Sequence, residues 1–278
     1  MKYIFLCLLF LVTSNEIWAQ IIEDKEPAIL EVHYIKTSVA DTLKKQSDSD
    51  PMTLRVGKTS AMFYPPKRMW VDSLLQTNFE LHEKLYREMN PPGQAEYKPL
   101  GGLEREYLFR NINDGETMVY RKMGGEAYSY TEPTEMPVWQ ILSETKEVLG
   151  YSCQLASCDF RGRRWYAWFS TDIPINEGPW KLFGLPGLVL EAWDSKKHYT
   201  YEAVGLYTKD LQPVGIRLYN ISGKPYKLKS RQEYLQKMYK EYILGDLAFK
   251  MSALHGNGTQ SVPSKAQYDF EERDYPHK

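Results

Sequence analysis

The chain has 278 residues and a formal net charge of -1, so no global basic field draws it to nucleic acid or to an anionic membrane. With 3 cysteines, one of them in the N-terminal apolar run, a disulfide scaffold is excluded and the core must rest on apolar burial. Aromatic residues make up 14% of the sequence, more than a minimal core requires, and suit strands or a ring-lined cavity.

At the N-terminus, Lys2 followed by the unbroken apolar run Ile4 to Val12 reads as an export signal too short to span a bilayer. Cleavage is expected after Ala19, making residues 1–19 the signal peptide, and the processed chain is expected in the periplasm or at the outer membrane. Cys7 lies inside the apolar run and not at its end, so no lipid anchor is expected. No later stretch reaches the roughly 18 apolar residues of a transmembrane helix. The remainder suits one β-rich domain over residues 20–251, and the polar, Gly-, Ser- and Asp-rich residues 252–278 read as a poorly ordered tail.

Leu30 to Ser38 places Leu30, Val32 and Tyr34 on one face of a strand, and a second strand is expected from Met52 to Gly57. After Pro65-Pro66, the spacings of Leu74, Asn78, Leu81 and Leu85 predict one amphipathic helix from Trp70 to Met89, ended by Asn90-Pro91-Pro92-Gly93. Strands Glu104 to Asn111 and Thr117 to Lys122 flank Asp114-Gly115, a tight hairpin turn. Further strands are expected at Ala127 to Thr131, Val138 to Leu142, Tyr151 to Asp159, Arg164 to Thr171, Leu188 to Trp193, Tyr199 to Tyr207 and Gly215 to Ile221. Short turns at Lys146-Glu147, Arg161-Gly162 and Ser195-Lys196 make these neighbours antiparallel. Ser230 and Glu233 form an S-x-x-E capping box before a second helix with a Tyr234, Leu235, Met238 stripe. The fold class is therefore α+β and β-dominated: a strongly curved antiparallel sheet, bowl or half-barrel, with two packed helices.

Signatures of catalysis and metal binding fail on inspection. Gly57-Lys58-Thr59 lacks the first glycine of a phosphate loop, Tyr86 stands where a zinc-protease helix needs its second histidine, and no serine has a nucleophile-elbow setting. The five histidines are scattered, so no metal and no cofactor is expected. Cys153 and Cys158 are separated along one strand by about 16 Å, beyond the roughly 7 Å limit of a bridge; two thiols on opposite faces are expected. Arg161, Arg163 and Arg164 crowd one turn, suited to a carboxylate, phosphate or sugar, or to pairing with Asp159, Asp172 or Glu177. In Trp165-Tyr166-Ala167-Trp168-Phe169, Trp165 and Phe169 share one face and Tyr166 and Trp168 the other, and either pair suits a cavity wall or a core. Arg163, Trp165, Trp168, Trp180 and Trp193 are the candidate ligand-binding residues. Pro186-Gly187 suits a type II turn with Gly187 at positive φ.

Gly184-Leu185-Pro186-Gly187-Leu188-Val189 closely resembles the motif that names the GLPGLI family of Bacteroidetes exported proteins, with Val189 in place of the last isoleucine. Trp139-Gln140-Ile141, Gly150-Tyr151-Ser152-Cys153, Ala167-Trp168-Phe169 and Asp172-Ile173-Pro174-Ile175 extend the resemblance over about residues 139 to 194. The resemblance implies a bowl-shaped β domain like that at the N-terminus of some bacterial N-glycan amidases, and a link to TonB-dependent uptake; it implies no activity. The expected function is thus an exported, non-catalytic binding or accessory protein with an outer-membrane receptor or a glycan or peptide as partner. The alternatives are a glycan- or peptide-directed hydrolase using Asp172 and Glu177, and a lipid or lipoprotein carrier with an apolar bowl.

Overall fold

The computed structural model describes residues 21–39, 41–43, 47–94, 99–123, 126–218, 226–243 and 269–275. The expected export signal, and residues 252–268 and 276–278 of the expected tail, lie outside the described residues.

Among the described residues twelve strands form one sheet. A first meander contains β2 (Leu30–Ser38), β3 (Asp48–Val56), β4 (Ser60–Tyr64), β5 (Glu106–Asn111), β6 (Glu116–Met123) and β7 (Glu126–Pro133). A second contains β8 (Gln140–Val148), β9 (Tyr151–Phe160), β10 (Arg163–Ser170), β11 (Leu188–Asp194) and β12 (Tyr199–Tyr207). Antiparallel pairing of β2 with β12 joins them, so every neighbour within a meander is also a neighbour in sequence. The short β14 (Tyr226–Lys227) adds in parallel to β7, and the outermost strands β14 and β8 do not pair, so the sheet is not a closed barrel. A separate two-stranded sheet pairs β1 (Ile21–Glu26) with β13 (Val214–Leu218). Among the described residues the architecture is β-dominated, as expected, with three helices where two were expected.

The helical region departs from the sequence expectation. One helix was predicted from Trp70 to Met89; two are observed, α1 (Pro66–Thr77) and α2 (Phe79–Met89). Asn78 breaks them apart, because its side chain accepts a hydrogen bond from Leu81 N and caps α2 where the periodicity had counted it as a stripe position. Of the two, α1 buries Val71, Asp72 and Leu74, while α2 buries none. The third helix, α3 (Arg231–Ile243), starts as expected: Ser230 Oγ accepts from Glu233 N at 3.2 Å, and Tyr234, Leu235 and Met238 are buried.

Three strands escaped the sequence reading, the two-residue β14 among them. In β4 all five residues are buried: Ala61 and Phe63 face the main core, and Met62 and Tyr64 a smaller cluster that includes Val214 of β13. Such two-sided burial erases the alternation that marks a half-exposed strand. Strand β1 is polar along most of its length and pairs with a segment nearly 200 residues away. The expected turn at Lys146-Glu147 also moves, to Leu149 and Gly150, which take φ of 52° and 82°.

The Gly184–Val189 motif is a buried corner, but not the turn predicted. Positive φ belongs to Gly184 (91°) and to Trp180 (54°), whereas Gly187 is not in that region. Gly187 is needed for a different reason: a Cβ there would sit 2.0 Å from Ser170 O, on the backbone at the end of β10. Gly178 has the same role, with a Cβ falling 2.0 Å from Leu182 O. Bonds from Gly184 N to Asn176 O, Leu188 N to Ile173 O and Val189 N to Glu177 O lock the corner, and Leu182, Leu185, Leu188 and Val189 are all buried.

Cys153 and Cys158 are free and buried, as two thiols; in the ladder Cys158 stands opposite the inward Trp165, and Cys153 opposite Lys146, which lies over Trp168 on the other face.

Candidate functional site

The main-core side of the sheet is not apolar throughout. Strand β2 carries Leu30, Val32 and Tyr34 inward and, by the same alternation, Lys36, which is buried. Arg163 occupies the inward register of β10 beside Trp165 and Ala167, and Lys181 hangs from the corner next to Trp180. Arg231 is the first residue of α3. Each of these cations is buried or nearly so, which is tolerable only with partners.

The partners come from two sources. Some belong to the sheet and its loops: Lys36 Nζ donates to Glu104 Oε2 (2.7 Å), Arg163 Nη1 to Asp194 Oδ2 (3.0 Å) and Lys181 Nζ to Glu132 Oε1 (2.6 Å). The others come from residues 269–275, which correct the expectation of a disordered tail: Phe270 and Tyr275 are 8% exposed, and Asp269 and Glu272 6%. Glu271 takes Lys36 (2.9 Å) and the Tyr201 hydroxyl, Glu272 takes Lys181 (2.7 Å) and Arg231, and Asp274 takes Arg231. Asp269 pairs with Arg163 (2.9 Å), His198 and Arg273. Arg163 and Tyr199 also read the segment's backbone. Arg163 Nε donates to Glu271 O (2.9 Å), its Nη2 to Phe270 O, and the Tyr199 hydroxyl to Asp269 O (2.7 Å). Gly162, at φ 75°, lets the segment pass: a Cβ there would lie 2.6 Å from Asp274 N.

The charge states follow from this arrangement. Burial alone would lower the Lys36 ammonium, but Glu104 and Glu271 hold it well above the ordinary lysine range. Burial raises and Lys36 with Arg121 then lower the Glu104 carboxyl, to about 2. Glu272 and Asp269 are likewise pushed up by burial and pulled below the ordinary range, by Lys181 with Arg231 and by His198 with Arg163. Between the segment and the sheet a cavity of about 80 Å³ remains, lined by Lys36, Glu104, Arg121, Trp180, Tyr199 and Glu271 among others.

The five candidate ligand-binding residues fall into two groups. Arg163, Trp165 and Trp180 are buried, with Trp165 and Trp180 5.5 Å apart between ring centroids; Trp165 is core, Trp180 is core that also lines the cavity, and Arg163 holds the 269–275 segment. Trp168 and Trp193 are half-buried on the opposite face, where Tyr166 stacks on Trp193 (5.8 Å, 15°) and Lys146 lies 5.1 Å over Trp168. Arg161 and Arg164 pair with Glu132 and Asp159. Of the two carboxylates considered for hydrolysis, Glu177 is buried and bonded to Arg110, whose guanidinium lies 3.7 Å from the Phe183 ring centroid, while Asp172 is exposed at a turn. Sequence reasoning missed Lys36, Lys181, Arg231 and the 269–275 segment. The signal for Lys36 was present, in its place on the inward face of β2.

Among the described residues no group of three side chains suits a metal ion, and no helix is long and apolar enough to cross a membrane.

A Bacteroidetes-associated family described as "Protein of unknown function (Porph_ging)" matches residues 161–191, the segment from the β9–β10 turn through the corner; the GLPGLI name is not carried by that match. No curated protein matches the chain. Two solved structures of PNGF-II are similar at 15% and 14% identity, with TM-scores of 0.45 and 0.46 over 76% of this chain. The chain spans about a third of their length. The LolA superfamily protein NE2245 from Nitrosomonas europaea is similar at 6% identity and a TM-score of 0.27, over 67% of this chain and 88% of that one. At TM-scores below 0.5, neither likeness carries weight for fold or function.

Proposed function

We propose that the chain is an exported, non-catalytic binding or accessory protein, acting beyond the inner membrane, whose binding surface is the basin on the main-core side of the sheet. One observation carries this reading: buried cations and tyrosines from β2, β10, β12, the corner and α3 converge on a short extended segment and recognise both its carboxylates and its carbonyls. A bowl shape is supported by the Arg161–Glu132 bond of 3.1 Å, which joins the β9–β10 turn to β7. In the ladder, β7 and β10 are eight strand spacings apart, or about 38 Å if the sheet were flat. Export is supported by Lys2 and the Ile4 to Val12 run, and an outer-membrane partner linked to TonB-dependent uptake rests on the GLPGLI resemblance.

The competing readings have less behind them. A lipid carrier needs an apolar cavity of several hundred Å³, whereas the basin cavity is about 80 Å³ and charged. A hydrolase needs two free carboxylates, and Glu177 is tied to Arg110. Glycan binding has one feature in its favour, the half-exposed ladder of Tyr166, Trp193 and Trp168 on the outer face.

A thermal-shift screen of the full chain against peptides, glycans and lipids tests the proposal, with Lys36→Met and Trp193→Ala run in parallel. A ligand that raises Tm in wild type and Trp193→Ala, but not in Lys36→Met, supports the basin. Loss of the shift in Trp193→Ala alone moves the site to the outer face, and turnover of any screened compound overturns the non-catalytic reading.

A further inference from the structure

The basin holds residues 269–275 as a receptor holds a ligand. Among the described residues the segment belongs to no strand or helix, and its backbone-to-backbone tie is Arg273 N to Arg161 O (2.8 Å). Its other contacts given above run from side chains of the basin to its carboxylates, carbonyls and rings, with Phe270 packed 5.8 Å from Tyr239.

The receptor is preorganised without the segment. Lys36 keeps Glu104, Arg163 keeps Asp194 and Lys181 keeps Glu132 when the segment is removed, so three of the four cations stay fixed in place. Those three carboxylates balance three charges, Glu106 and Arg121 on the same cavity wall offset each other, and Arg161 keeps Glu135, which leaves Arg231 in excess, so a vacated basin is positive and selects an acidic occupant. The resident segment supplies four carboxylates against one arginine, at the spacing Asp-aromatic-Glu-Glu-x-Asp. It does not fill the site, since the cavity of about 80 Å³ lies between it and the sheet. Arg163 and Tyr199 read three successive carbonyls, which an anionic glycan or a phosphate does not offer. The segment is joined to α3 through residues 244–268.

We propose that the basin is a receptor for an extended acidic peptide of a partner polypeptide, carrying an aromatic residue between its first carboxylates, and that Asp269–Tyr275 is the internal occupant such a peptide displaces. This rests on the basin being the binding surface, as proposed above. Tethering gives the internal segment an effective concentration on the order of millimolar, so a partner must either bind well below that or act where the tether is cut or pulled away.

The test uses the full chain with a specific protease site inserted between Gly256 and Asn257, and a fluorescent synthetic peptide Asp-Phe-Glu-Glu-Arg-Asp-Tyr followed by anisotropy. Cutting the chain should raise its apparent affinity for the peptide by about 100-fold or more, because the competitor is no longer tethered. The same peptide with Asn and Gln in place of its acids should bind at least about 10-fold more weakly. In the uncut chain, Glu272→Gln weakens the internal occupant and should raise peptide affinity by about 10-fold, a readout that does not depend on the cut protein staying folded. A cut segment that never exchanges below the melting temperature, with no gain from Glu272→Gln, makes it a structural part of the fold and removes both this inference and the basin reading. Exchange in which the amide peptide competes equally well overturns the acidic class alone and leaves the basin reading standing.

Discussion

Two irregular segments cover the same side of the sheet by opposite means. The corner from Gly178 to Val189 is held by apolar side chains and by backbone packed so tightly that glycine is required at two positions. The 269–275 segment is held by ion pairs and by side chains reaching its carbonyls. The first arrangement stabilises wherever it forms, because burial of apolar surface needs no partner of matching charge. The second stabilises only when its charges are complete, since a buried cation that loses its carboxylate costs more than the pair contributes. Packing thus makes the corner part of the fold, whereas charge makes the segment an occupant.

The sharpest way to break this contrast is to remove the residue that reads most of the segment. Arg163→Met leaves Asp194 and Asp269 buried without their guanidinium and should cost about 4 kcal/mol, measured by urea denaturation; a cost below about 1 kcal/mol would show that the ion pairs are incidental. Acid attacks the same region without mutation. Glu104, Asp269 and Glu272 all have folded-state pKa values below their unfolded ones, so their contribution is fully present above about pH 4.5 and is lost as pH falls toward the folded values. For Glu104, with a folded pKa of about 2, the loss is about 3 kcal/mol. The urea midpoint should therefore hold between pH 6 and 8 and drop steeply below about pH 4.5.

The same contrast explains what could be read from sequence. The corner announces itself through Gly178, Pro179, Gly184, Pro186 and Gly187, residues whose backbone demands are local, although the chain assigns positive φ to Gly184 and close approach to Gly187 instead of the reverse. The meanders, β4 apart, were legible because strand alternation and turn residues are local too. The 269–275 segment was illegible, because acidic residues beside a polar stretch look solvated and their partners Lys36 and Lys181 lie 235 and 91 residues away. In the same way the Trp165–Phe169 stretch offered two ringed faces with equal claims, and only tertiary packing put Trp165 in the core and Trp168 outside.

Gly187→Ala probes the corner in turn. Its Cβ would fall 2.0 Å from a backbone oxygen that cannot swing away, so the corner must shift and stability should fall by about 2–3 kcal/mol. Gly115→Ala is the control: it has positive φ, 64°, but open space around it, and should cost about 1 kcal/mol. Equal losses in the two variants, measured by thermal denaturation, would mean that the corner yields to the added methyl group and that close packing does not govern it.

The smallest expected effect is a shift of zero, and it separates apolar from charged burial in a single strand. Cys153 and Cys158 sit in β9 among apolar neighbours, and burial, the largest influence on each, raises their thiols to about 11 and about 12. This is the reverse of Glu272 and Asp269, whose buried acids are drawn down by cations. At neutral pH both thiols are protonated, shielded from reagent and unpaired, so the native chain without residues 1–19, and hence without Cys7, should take up no thiol reagent on the timescale of minutes. Unfolding that processed chain in urea without reductant should then expose two reactive thiols, and adding a reductant to its native form should leave Tm unchanged. Uptake of two equivalents only after reduction would show a bridge between them, and would require β9 to bend so that residues five apart come within about 7 Å.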